Sequence, residues 1–137
     1  MAVPYIELVR ALPLGEPLPV DSGGTLLFDT VVAGEGLGSQ IDYDMGSGLI
    51  TFLEAGFYCV DWFVAPQFGL TTGGSNWAVQ TSLSGLSVVG SSHTKVSATI
   101  GFALLNAGAG ETARLVNVSD GAIYLSQAVQ SKAGLIV

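Results

Sequence analysis

The sharpest hydrophobic pattern in the chain runs through Gly56-Phe57-Tyr58-Cys59-Val60-Asp61-Trp62-Phe63-Val64, where bulky residues fill both sets of alternate positions. Side chains alternate across a strand, so Phe57, Cys59, Asp61 and Phe63 point one way and Tyr58, Val60, Trp62 and Val64 the other. A strand in a small antiparallel sandwich buries one face and wets the other. Here neither face suits water, so a second covering surface is required. Another copy of the chain is its simplest source.

Elsewhere, short β-branched and aromatic runs are separated by Gly, Ser, Thr and Asn about every eight to twelve residues, and no long stretch repeats apolar residues at helical spacing. The pattern predicts an all-β sandwich or barrel with ten strands, near residues 3–10, 25–32, 40–44, 49–53, 57–65, 77–83, 94–105, 112–118, 123–125 and 133–137. Met45-Gly46-Ser47-Gly48 separates two strands, Glu54-Ala55-Gly56 makes a tight reversal and Asn106-Ala107-Gly108-Ala109-Gly110 a flexible turn. Asp120-Gly121 is a hairpin signal, because its second residue tolerates positive φ. Pro13, Pro17 and Pro19 suit an extended crossing between sheets. The longest polar loop, 68–76, is expected at one end of the sandwich.

Composition sharpens the demand for a cover. The chain has 137 residues, room for a single domain with a real core. Charged residues are 11% and hydrophobic ones 49%, an apolar balance that a membrane or an oligomer must hide. The apolar run at 57–66 is broken by Asp61 and the one at 97–105 holds Gly101, so neither reaches the roughly 18 to 20 residues needed to span a bilayer. No basic region precedes an apolar segment in the manner of a signal peptide. The net charge of −7, with Arg10, Lys95, Arg114 and Lys132 scattered, disfavours nucleic acid and anionic lipid as partners. One cysteine excludes an intrachain disulfide and a cysteine-based zinc site.

Candidate chemistry is sparse. His93, the only histidine, sits in Ser91-Ser92-His93-Thr94 and reads as a solvated loop residue, since no nucleophile-elbow motif accompanies it. Gly34-Glu35-Gly36-Leu37-Gly38 has the wrong spacing for a phosphate loop and no helix after it, so it reads as a loop. Asp42 and Asp44 share a strand face and could offer hard oxygen ligands to Ca²⁺, although two solvated acids at a sheet edge is the plainer reading. Asn117-Val118-Ser119 matches a glycosylation triplet that occurs often by chance. Cys59 reads as a small hydrophobe. Asp61 is harder to dismiss, because a carboxylate on a face that ought to be covered needs donors, a cation or solvent. No residue set supports catalysis, and no cofactor is implied.

Order and spacing of short motifs carry a resemblance. Leu27-Phe28-Asp29 with Val31, Ile41-Asp42-Tyr43-Asp44, Gly48-Leu49-Ile50-Thr51-Phe52, Ala55-Gly56-Phe57-Tyr58 with Val60 and Trp62, Gly110-Glu111-Thr112-Ala113-Arg114-Leu115 and Ala133-Gly134-Leu135-Ile136-Val137 together resemble the C1q/tumour-necrosis-factor jelly-roll family. Ala55 stands where the family usually has proline. Low charge and abundant Ala, Gly, Ser and Thr look most like the C-terminal domains of bacterial collagen-like surface glycoproteins, such as those of the spore exosporium. The collagen-like stalk itself is absent from this chain, which has 19 Gly but no Gly-X-Y period.

The resemblance implies one antiparallel ten-stranded jelly-roll domain over residues 1–137 that forms a homotrimer at a spore or cell surface. It implies a structural role, nucleating a triple helix and displaying a filament tip. It places Tyr58, Val60 and Trp62 in the core, and Phe57, Cys59, Asp61, Phe63, Lys132, Gly134 and Ile136 at the trimer interface, where Asp61 and Lys132 could pair near the axis. Two other readings stay open. One is a trimeric head binding a receptor or glycan through polar loops and exposed aromatics such as Phe68 and Trp77; the other is a phage-fibre or capsid jelly-roll subunit. A cupin-type enzyme is the weakest option, because that chemistry wants several histidines.

Overall fold

Alternation of apolar and polar positions becomes strand across the computed structural model, which describes residues 5–13, 18–35, 40–82, 87–92, 98–126 and 131–137. In chain order the strands are β1 (Tyr5–Arg10), β2 (Leu18–Val20), β3 (Thr30–Glu35), β4 (Ile41–Asp44), β5 (Leu49–Phe52), β6 (Gly56–Val64), β7 (Pro66–Gly69), β8 (Ser75–Thr81), β9 (Ser87–Ser92), β10 (Thr99–Ala107), β11 (Glu111–Asn117), β12 (Ile123–Leu125) and β13 (Ala133–Ile136). Every pairing is antiparallel. One five-stranded sheet has the order β10-β6-β13-β1-β3, a second β4-β5-β11-β8-β9, and a small third sheet β2-β12-β7.

The two large sheets form an antiparallel sandwich. Ile6, Leu8, Val60, Trp62 and Leu135 enter its core from the first, and Ile50, Phe52, Trp77, Val79 and Leu115 from the second. Tyr58 spans the seam. Its ring packs on Phe52 at 4.4 Å between centroids, and its hydroxyl donates to the Glu54 carbonyl at 2.8 Å. That bond anchors the link where the chain leaves β5 of one sheet for β6 of the other.

The core is tightest where β6 meets β10. Gly101 pairs with Trp62, and a Cβ at 101 would overlap the six-membered ring of the indole. Each inward position of β10 is small or of middle size: Thr99, Gly101, Ala103, Leu105 and Ala107 are all buried. Trp62 takes the volume that larger side chains would need. The packing leaves the Trp62 Nε1–H and the Thr99 hydroxyl buried without hydrogen-bond partners.

Thirteen strands among the described residues replace the ten expected. β2, β7 and β9 were not anticipated, because β2 and β7 span three and four residues and include proline, while β9 is Ser-Val-Val-Gly-Ser-Ser. The expected strand at 25–32 starts only at Thr30. Ahead of it, Thr25 bridges Val116, and Leu26 and Phe28 plug the core while Tyr43 clamps Phe28 by accepting from its amide at 2.7 Å and donating to its carbonyl at 3.0 Å. The loop expected at 68–76 contains the ends of β7 and β8, and Gly34 and Glu35 belong to β3 rather than to a loop.

Of the predicted turns, one closes a hairpin and three carry the chain between sheets. Met45 to Gly48 does join a hairpin, β4–β5, with Gly48 at φ +75°. Asp120-Gly121 instead carries the chain from β11 of the second sheet to β12 of the third. Glycine is required at 121 for close approach, because a Cβ there would overlap the Leu70 carbonyl. The reversal at 54–56 and the turn at 106–110 both cross between the large sheets.

One polar cluster fixes the first crossing. Asp29 accepts from the amides of Leu12 at 2.8 Å and Ala11 at 3.1 Å and from the Thr30 hydroxyl, with Arg10 Nε 3.5 Å away. Burial raises the Asp29 carboxyl, but the Leu12, Thr30 and Ala11 hydrogen bonds and the Arg10 charge together hold it below its ordinary value of 3.8. A carboxyl lowered by folding contributes stability that is present above its unfolded value and is lost as pH falls through the lower folded value. Asp29→Asn is expected to cost about 1 to 2 kcal/mol near neutrality in urea unfolding. The variant should also lose less stability than the parent as pH falls below about 4; parallel acid profiles would contradict this. Gly101→Val is expected to lower the unfolding free energy by about 1 to 3 kcal/mol, and an unchanged denaturation midpoint would refute the packing argument.

Candidate functional site

The outer surface of the sheet β10-β6-β13-β1-β3 is built by the alternation that fills the core. Because Thr99, Gly101, Ala103, Leu105 and Ala107 point inward, alternation turns Ile100, Phe102 and Leu104 out. They are 71%, 75% and 63% exposed, and Phe57 beside them on β6 is 71% exposed. Cys59, Asp61, Phe63 and Ile136 are exposed on the same face. Four large apolar side chains so bare, on two adjacent nine-residue strands, form a surface that water disfavours.

The face is not flat. A groove of ≈ 540 Å³ runs across it, lined by Glu7, Val9, Asp61, Phe63, Phe102 and Ile136 among others. Gly134 opens its floor, since the Phe63 ring lies where a Cβ at 134 would stand. Glu7 and Asp61 are the two acids in this lining. β10 is also the edge of its sheet. That edge is not left open: β9 of the other large sheet runs beside it, and a Cβ at Gly90 would stand 2.7 Å from the Ile100 carbonyl oxygen.

The candidate interface residues do not all share this face. Phe57, Cys59, Asp61, Phe63 and Ile136 do, and Gly134 lies beneath Phe63. Lys132 does not: it is 1% exposed and its ammonium donates to the Ser126 carbonyl at 2.8 Å. The backbone amide of Ala65, four residues beyond Asp61, bonds the Lys132 carbonyl, so the two side chains start about 13 Å apart along the strand. Asp61 stands opposite Ile136 and Phe102 instead. The structure therefore does not bring Asp61 and Lys132 together within the chain, because the alternation counted back from Ile136 does not reach past Ala133, where β13 begins. Tyr58, Val60 and Trp62 are buried.

No family model matches the chain, and no curated protein matches it in sequence. Solved structures do. The globular domain of zebrafish complement 1qA protein superposes with TM-score 0.68 at 11% identity, over 98% of this chain and 96% of that one. Murine APRIL at pH 5.0 gives 0.63 at 11% identity over 97% of each chain, and Eiger TNF from S. frugiperda 0.63 at 14% over 98% and 92%. The fold is the C1q/TNF jelly roll. At these identities the likeness is one of architecture alone.

Other candidate groups in this C1q/TNF-like fold are engaged locally or lie elsewhere. Asp44 accepts from the Ser47 hydroxyl at 2.8 Å and the Gly46 amide at 3.1 Å, which lower its carboxyl, and Asp42 accepts from the Tyr43 amide. Both acids thus serve the β4–β5 hairpin. Among the described residues no group of three or more His, Cys, Asp or Glu is placed to hold a metal. Asn117 is fully buried, with its amide donating to the carbonyls of Val20 and Gly121, so it is not presented for glycosylation. Trp77 is buried and donates to Ser75 Oγ at 2.8 Å, against the expectation of an exposed aromatic. Phe68 is exposed, stacked on Tyr124 at 4.3 Å. His93, Lys95 and residues 36–38 lie outside the described residues.

Sequence reasoning missed Ile100, Phe102 and Leu104, the most exposed part of the face. Their signal was the alternation of small and large residues in Thr99-Ile100-Gly101-Phe102-Ala103-Leu104. Lys132→Met tests the corrected placement. The substitution is expected to lower the unfolding free energy by about 1 to 3 kcal/mol, through the lost bond to Ser126, while oligomer mass stays as in the parent. A changed mass with an unchanged melting curve would return Lys132 to the interface.

Proposed function

We propose that this chain is a non-enzymatic, self-trimerising head of a collagen-like surface protein of the spore-exosporium type, nucleating the triple helix and displaying the filament tip. The observation that supports it is the bare apolar face of β6 and β10, on a chain whose other large sheet turns Asp42, Thr51, Thr112, Arg114 and Gln80 outward. The molecule has one face for water and one for a partner. A head-to-tail ring of identical chains covers each face once and leaves none over. Burial there supplies roughly 25 cal/mol per Å² of apolar surface before association costs. The surface setting and the stalk rest on the family resemblance.

A second reading, a receptor- or glycan-binding head, draws support from the stack of exposed Phe68 on half-buried Tyr124 in the small sheet. The two are compatible. Self-association is the one tested first, by light scattering of the chain and of Phe102→Glu. The parent is expected at three times 14.0 kDa and the variant at one, with the same circular dichroism. A parent that stays monomeric at high concentration would overturn the proposal.

A further inference from the structure

The bare face contains a contradiction of charge. Register lines up one row across the sheet: Ala33 on β3, Glu7 on β1, Ile136 on β13, Asp61 on β6 and Phe102 on β10. Cross-strand partners share a face, so these five side chains point outward together. Along its own strand Asp61 is flanked by Cys59 and Phe63, and Glu7 by Tyr5 and Val9. Each carboxylate therefore has four apolar or uncharged neighbours and, among the described residues, no cation beside it. The two line the same groove with Ile136 between them.

The described residues offer little to neutralise them. Among the described residues of this face the titratable groups are Tyr5, Glu7, Cys59 and Asp61. Lys132 is buried on the Ser126 carbonyl. Arg10 is committed to Asp29 and to the carbonyls of Leu12 and Leu27, and Arg114 reaches Thr25 from the other large sheet. A sister chain brings the same set. Covering this face removes carboxylates from water without a described base to meet them, and the neutral form of a carboxyl is then favoured.

We infer that self-association of this chain is coupled to proton uptake by Asp61 and Glu7. The inference rests on the self-trimerising reading and adds its regulation. A buried acid and a hydroxyl or carboxylate of the neighbouring copy can share a hydrogen bond that two carboxylates cannot. Assembly is then tightest in mild acid and loosens as pH rises toward neutrality and beyond. A salt bridge to Lys95, or a cation bound between copies, predicts the opposite sign, because acid would remove the charge that the partner needs.

Sedimentation equilibrium of the parent, Asp61→Asn and the double variant Glu7→Gln/Asp61→Asn at about pH 5 and about pH 8 tests this, with one alkaline sample in chelator. Both side chains are on the surface of the single chain, so the variants should fold. Linkage allows up to about a tenfold change in association per pH unit for each proton taken up. The parent is expected to dissociate at least tenfold more readily at the higher pH, the double variant to be as tight at both as the parent in acid, and the single variant to fall between. A parent equally tight at both values would overturn the coupling and leave self-association standing. Loosening in acid, or loosening by chelator, would overturn it in favour of a cation partner. A monomer at both values would overturn the self-trimerising reading and the coupling with it.

Discussion

The indole of Trp62 lying over Gly101 is the contact from which the rest of the surface follows. It fills the core space between β6 and β10, and nothing larger than a hydrogen fits at 101. With Thr99, Gly101 and Ala103 turned inward beside Trp62, the alternating Ile100, Phe102 and Leu104 have only the outer face to occupy. Ile100, Phe102 and Leu104 are exposed because Trp62 is buried, and they join Phe57 and Phe63 on the neighbouring strand. A packing decision inside the sandwich thus creates an apolar surface outside it.

That surface sets what the fold is fit to do. The opposite large sheet shows a mixed polar face, typical of a surface that stays wet. The β6–β10 face has large apolar groups, a groove and two carboxylates, which is poor for solubility and good for covering by a partner. Asp61 and Glu7 limit how readily that cover can form. Unpaired acids on an apolar face penalise indiscriminate burial, so they can restrict association to conditions and geometries that accommodate them.

Much of this was legible in the residues. The two-faced character of 56–64 was plain, because nine alternating positions leave no ambiguity about which side chains travel together. The all-β class followed from turn spacing, and the jelly roll only from the family resemblance that short motifs in order carry. The β10 face was not, since a rule that large apolar residues point inward reverses when a tryptophan on the next strand has taken the space. Lys132 was misplaced because periodicity holds only within a strand, and β13 starts at Ala133. Asp120-Gly121 was read as a hairpin because glycine at a turn usually signals backbone conformation; here the need is room for the Leu70 carbonyl. Strands of three or four residues such as β2 and β7 carry too few alternations to be recognised at all.

Cys59 lies in the middle of the face and is exposed in the single chain, so its thiol reports directly on whether a sister copy covers β6. The decisive measurement is its rate of reaction with a small disulfide reagent as protein concentration is raised through the association range, with Phe102→Glu as the uncovered reference. The account predicts a rate that falls with concentration in the parent and stays constant in the variant. A parent rate equal to that of the variant at every concentration would contradict it.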